Sequence, residues 1–202
     1  MHLHLEISKE GKIILAVSLN IAVGYLGQLP LGHAGFMAVG AYASAILLRS
    51  LPEGARGPLF PISIIFGGII ALIFGLIIGL PALRLKGDYL AIVTLAFCEI
   101  VKTIFQNSST ESFGGPMGLR TPRFDKDYLF IIIFAFILIC LAVMQNFIRS
   151  KHGRAVTAIR DNEIAARAMG IDVTKYKLTV FTVSAFFAGI AGALYSNYQK
   201  SR

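Results

Sequence analysis

Charged residues along this chain are separated by long apolar runs, and the runs have the length of membrane spans. Pro61 to Leu80 is twenty residues without a charge. As a helix rising about 1.5 Å per residue it covers roughly 30 Å, the thickness of a bilayer's hydrocarbon core. Tyr128–Ile148 is a second run, opened by an interfacial tyrosine and followed by Arg149 and Lys151. Leu178–Ser196 is a third, and Tyr89–Gln106 a fourth, interrupted by Glu99 and Lys102. Ile13–Leu48 holds 36 uncharged residues, too many for one helix and marginal for two full ones. Its middle reads Gly27-Gln-Leu-Pro-Leu-Gly-His33 and predicts a break. Pro30 removes a donor and clashes with the preceding turn, while the glycines accept unusual dihedrals. The pattern predicts an all-α polytopic membrane bundle of about six spans, with a broken helix near residues 27–33.

Composition agrees. Of 202 residues, 55% are hydrophobic and 15% charged, against about 25% charged in soluble domains. A chain this apolar is not disordered. Cys98 and Cys140 stand alone inside apolar runs, which excludes a disulfide scaffold. Lys and Arg outnumber Asp and Glu by 19 to 11. The basic residues lie in short segments between uncharged runs, a layout that fits membrane topology and not a nucleic-acid partner. Segments 81–88 and 149–177 hold nine of them: Arg84, Lys86, Arg149, Lys151, Arg154, Arg160, Arg167, Lys175 and Lys177. Segments 49–60 and 107–127 hold five. The positive-inside rule makes the first pair cytoplasmic. Glu6 and Glu10 spoil the positive start of a signal peptide.

Small residues recur every four positions: Gly67, Ala71, Gly75 and Gly79 in one run, and Ser184, Ala188, Gly192 and Ser196 in another, with Ala185, Gly189 and Ala193 beside them. Such stripes share a helix face and let backbones approach in lipid. Glu99 is costly inside a span and is expected to face the bundle interior or water. Lys102, three residues on, can pair with it; a structural ion pair and a place on a transport path are both open readings. The break is flanked by Asn20, Gln28 and His33, and reads either as a plain turn or as part of a solute path. His33 is not a metal ligand, since no second ligand sits at ligand spacing.

The segment Arg149–Lys177 is long for a structureless loop. Val156 and Ile159 predict a short amphipathic helix, and Asp161 to Gly170 a second, with Asp161 as N-cap, Glu163 in its first turn and Gly170 at C′. Asp172 is placed to cap the last span. Such a surface suits docking; the alternative is an interfacial helix on anionic lipid. No GxSxG, HExxH, Walker A or paired-carboxylate motif is present, so no catalytic role, metal or cofactor is expected, and any ATPase must be a partner.

The run from Leu19 to Tyr42, with its Gly-Gln-Leu-Pro-Leu-Gly-His-Ala-Gly core, resembles the broken-helix signature of LivM-like branched-chain amino-acid ABC transporter permeases. Leu85–Leu95, Gly114–Leu119 and Gly153–Gly170 follow in the same order, so the resemblance extends from about residue 13 to residue 196. It implies a single permease domain over 1–202 in the bacterial inner membrane. It also implies a second permease subunit, cytoplasmic ATPase subunits and an extracytoplasmic substrate-binding protein as partners, with membrane lipid around them. The coupling motif of such importers, Glu-Ala-Ala-x-x-x-Gly, is matched by Ala165, Ala166 and Gly170; Ile164 takes the Glu position and Glu163 sits one residue earlier. On the resemblance, segment 149–177 is the cytoplasmic coupling loop. Family chains continue with further spans, so the domain is expected to be incomplete. Branched-chain or related amino acids are the expected solutes, with urea and short amides as neighbours. A self-sufficient channel or secondary carrier is the alternative of a different class, and a membrane enzyme a distant third.

Overall fold

The computed structural model describes residues 12–83, 89–108, 115, 119 and 126–199. Arg84, Lys86, most of the Gly114–Leu119 motif and the charged start of the chain lie outside them. The described residues form helices and no strands. In chain order the helices are α1 (Lys12–Tyr25), α2 (His33–Ser50), α3 (Glu53–Ala82), α4 (Tyr89–Asn107), α5 (Lys126–Arg149), α6 (Lys151–Asp161), α7 (Glu163–Ala168) and α8 (Val173–Gln199).

Four of them are long and apolar enough to cross a membrane, over Gly57–Ala82, Tyr89–Asn107, Ile131–Arg149 and Val173–Ser196. They are the four charge-free or nearly charge-free runs of the sequence. The remaining two expected spans are the two arms of the broken helix. At about 1.5 Å per residue, α1 covers only some two thirds of a hydrocarbon core. The chain leaves α2 through Leu51, which is extended at φ −86° and ψ 143° as the Pro52 ring requires.

The small-residue stripes meet. Gly79 of α3 lies against Leu178 and Phe181 of α8, Gly75 against Thr182 and Ala185, and Gly67 and Gly68 against Gly189, so the two helices run antiparallel. α2 completes a three-helix centre. The backbone of Gly40 touches that of Gly189, and Gly192 abuts the Met37 carbonyl. A Cβ at Gly67 would lie 2.6 Å from the Gly40 oxygen. Backbones approach this closely only where side chains are absent, which is how dispersion holds helices together without a hydrophobic drive.

Phe36 of α2 plugs the space beside this centre. Its ring meets Phe97 of α4 at 4.9 Å and Phe181 of α8 edge-on at 5.5 Å. Tyr42 stacks on Phe105 at 3.8 Å further along the α2–α4 seam. α5 contributes Ile133, Ile137, Cys140 and Met144 to a core shared with α1, α6 and α8. The outward faces of α4 and α5 remain exposed and are largely apolar, with Ile92, Leu95, Ile104, Phe134, Leu138 and Val143, and that of α4 also carries Glu99 and Lys102.

Candidate translocation and coupling site

α1 does not end as an ordinary helix. Its last turn, Ile21–Tyr25, is π-helical, and the chain then reverses through Gly27 at φ +72°. That dihedral is open to glycine and strained for other residues. Three of the terminal carbonyls find donors. Ala22 accepts from the Gln28 amide at 3.1 Å, and Val23 accepts from the Leu26 amide and from the Gly27 amide at 3.1 Å. Gly24 accepts from outside the turn: Nη1 of Arg160, on α6, donates to its carbonyl at 2.8 Å. The break therefore lies at the end of the bundle that carries the basic segment. Gly32 is pressed on the Thr94 carbonyl, only a turn and a half into α4 from the same end.

A buried polar chain holds the two arms of the break together. Ser18 Oγ donates to the Leu15 carbonyl at 2.8 Å and lies 2.8 Å from Nε2 of His33. The single hydroxyl proton is placed between these two neighbours, so Ser18 links the α1 backbone to the His33 ring in either tautomer. Ser184 of α8 donates to the Ser18 carbonyl at 2.7 Å. Each such bond is worth about 1 kcal/mol net, and leaving one partner buried without the other costs about 1–3 kcal/mol. Together they fix the entry of α2 against α1 and α8.

The basic segment is two helices joined by one residue. Ser150 caps α6, accepting from the His152 and Gly153 amides, and Val156 and Ile159 bury its inner face. Asn162 is extended at φ −156° and ψ 102° and caps α7, its side chain accepting from the Ala165 amide at 3.0 Å. α7 ends in a Schellman turn: the Ile171 amide donates to Ala166 and the Gly170 amide to Arg167, with Gly170 at φ +81°. Asp172 then caps α8 by accepting from the Lys175 amide at 3.1 Å. Glu163 ties α7 to α8, its two oxygens pairing with Arg167 and Lys177 at 2.8 Å each. The Lys177 hydrogen bond holds the Glu163 carboxyl below its ordinary range, so the pair is ionised at neutral pH and is lost only as acid protonates the carboxylate.

Residues 12–202 match the family model described as a branched-chain amino acid transport system permease component. The chain belongs to this family. It is 36% identical to the high-affinity branched-chain amino acid transport system permease protein LivM of Salmonella typhimurium, and 37% identical to that of Escherichia coli. Each alignment covers 93% of the chain and 50% of the relative, so the chain spans about half their length. A probable LivM permease of Methanocaldococcus jannaschii is 29% identical, over 92% of the chain and 64% of the relative. No solved structure matches significantly. Permease components of this kind are non-catalytic, multi-pass subunits of the inner membrane.

In the permease, the residues singled out from sequence fall into three environments. Asn20 is exposed at the start of the π-turn and folds over Gly24. Gln28 is half-buried, and its Oε1 is buried with no hydrogen-bond partner. His33 is a buried strut facing Ser18. Glu99 does pair with Lys102, at 3.0 Å, but not toward the interior of this bundle. Leu90, Thr94 and Val101 take the buried face of α4. At about 100° per residue Glu99 lies opposite them, and its side chain is 65% exposed.

Within the basic segment, Asp161 ends α6 and binds the Arg160 guanidinium, so the cap expected of Asp161 falls to Asn162. Ala165 and Gly170 are exposed, whereas Ala166 is buried against the permease's own core. Sequence reasoning did not single out Ser18, and it counted Ser184 only as a small residue and Arg160 and Lys177 only as basic ones, without the contacts they make. It noted Ile164 only as a departure from the coupling motif and passed over Met169; the two stand 82% and 83% exposed. Two large apolar residues in a polar segment were the available signal.

Proposed function

We propose that this chain is the permease part of an ATP-driven importer for branched-chain or related amino acids. Family membership over residues 12–202 carries the reading, and the relatives' names supply the solute class. On this reading Arg149–Lys177 is the cytoplasmic coupling loop. Ile164, Ala165 and the Gly170 turn meet a separate ATPase, while Glu163 and Ala166 hold α7 to the bundle. A second permease and an extracytoplasmic binding protein complete the machine, and rigid-body motion alternates access to a central path.

The path runs past the break and the outward face of α4. Gln28 Oε1 supports this, since a buried acceptor without a partner is satisfied by water or a polar solute. The Glu99–Lys102 pair supports it too. Charges near the centre of a span cost about 2.5–3.5 kcal/mol each against lipid, so that face meets water or polar protein in the assembled transporter. Asn20 lies beside the opening, and His33 sets the break's geometry from within.

Uptake by proteoliposomes tests the proposal. Leucine uptake should require the ATPase subunits and ATP, and unlabelled isoleucine should compete where urea does not. Gln28→Ala and Glu99→Gln should each lower uptake about fivefold or more with the complex still assembled. Flux through this chain alone, without ATP, would establish a channel or carrier instead. Orientation is tested separately by cysteine labelling in intact cells, in a background lacking Cys98 and Cys140. Ser109→Cys should react with an impermeant reagent and Thr157→Cys should not; the reverse pattern overturns the topology.

A further inference from the structure

We propose that Arg160 is the positioning residue that transmits movement of the coupling segment to the helix break. The inference rests on the reading of Arg149–Lys177 as the segment an ATPase moves. Three features of one side chain support it. Nη1 donates to the Gly24 carbonyl at 2.8 Å, across 136 residues of sequence, and caps a carbonyl of the π-turn from outside it. Nε and Nη2 both donate to Oδ1 of Asp161, at 3.1 and 2.9 Å, which fixes the plane of the guanidinium. The aliphatic stem lies on Gly27, where a Cβ would come 3.0 Å from Arg160 Cγ.

The elements on either side of this contact suit transmission. α6 is seated by Val156 and Ile159 and is one residue from α7, so force on α7 reaches Arg160 through a short, capped connection. On the other side the receiver is a π-turn followed by a left-handed glycine, a backbone with more than one accessible winding. An arginine fork holds a carbonyl with direction, which a lysine point charge does not. A rigid lever acts on a deformable joint, and the joint flanks Gln28 on the proposed path.

The test uses the complete transporter in proteoliposomes, with uptake and ATP hydrolysis measured together. Arg160→Met should keep ATPase co-purification and hydrolysis at wild-type levels, while solute moved per ATP falls about tenfold. Arg160→Lys should recover part of the ratio. A ratio unchanged from wild type, or uptake and hydrolysis falling in parallel, overturns the proposal, because a merely structural residue would affect both alike. If Arg160→Met fails to accumulate, spin labels decide in a chain that keeps Arg160. Labels at exposed Val23 and Ala158 should hold one mutual distance in nucleotide-free and ATP-bound states. Each should move relative to a label at exposed Ile46. A Val23–Ala158 distance that changes, or no movement relative to Ile46, overturns the lever. Failure of the coupling-segment reading is seen differently, as ATPase co-purification indifferent to changes at Ile164 and Met169.

Discussion

Gly189→Val should prevent the permease from accumulating as a folded protein. Gly189 sits where α2, α3 and α8 meet. A Cβ there would overlap Ala71 Cβ and come within 3.0 Å of the Gly67 oxygen and 3.2 Å of Gly68 Cα. Two of those neighbours are backbone and cannot swing aside. Overpacking in a well-filled core costs about 1–3 kcal/mol, and more where backbone must shift. Valine adds two further methyl groups, and separating α3 from α8 also separates α2, whose Gly40 touches Gly189. In lipid the lost dispersion is not offset by hydrophobic burial elsewhere. Membrane abundance and thermal unfolding in mild detergent measure the effect. Gly57→Ala is the control, since a Cβ there meets nothing within 4 Å. A Gly189→Val protein with wild-type abundance and melting temperature would refute the account of the three-helix centre.

The same centre shows why part of the fold was legible in sequence. Apolar runs without charge mark spans because burial of the backbone in lipid leaves few alternatives. The runs 61–80, 89–106 and 178–196 lie within α3, α4 and α8 as described. Small residues at four-residue spacing marked the faces that pack, and Gly170 marked a helix end, because each rule is local. Glu99, Asp161 and Ala166 show where local rules stop. Helical periodicity places Glu99 and Lys102 together but does not say which side of α4 faces α2. Asp161 and Asn162 are both capping residues, and the choice fell to Asn162 once α6 extended one residue further to bind Arg160. Ala166 matches a coupling motif by spacing, yet its direction depends on where α7 rests against the bundle. Arg160 was one of nine basic residues in a charge tally, and its contact with Gly24 depends on chain crossing 136 residues apart.

On the proposed coupling role, Ile164→Asp and Met169→Asp should each weaken docking of an ATPase subunit while leaving the permease folded. Glu163 and Arg167 neutralise each other, and Lys177 completes the pairing, so α7 presents few unsatisfied charges. Ile164 and Ala168 share a face by their four-residue spacing, and Met169 follows at the helix end. The result is an apolar knob at a basic end of the bundle, with Ile164 and Met169 exposed by 82% and 83%. Seating an isoleucine or methionine in a groove is worth about 1.5–3 kcal/mol, and an aspartate in its place adds a desolvation cost. ATPase affinity should fall about tenfold or more for each change, read as co-purification at equal membrane abundance. Both residues point away from the core, so thermal stability should stay near wild type. Ala166→Trp should behave in the opposite way, since Ala166 is only 4% exposed and packs in the core with Val156 and Val173. It should destabilise the permease first and lose the ATPase only as a consequence. Undiminished co-purification in both aspartate variants would assign the knob to lipid, as an interfacial anchor, and remove α7 as the docking element.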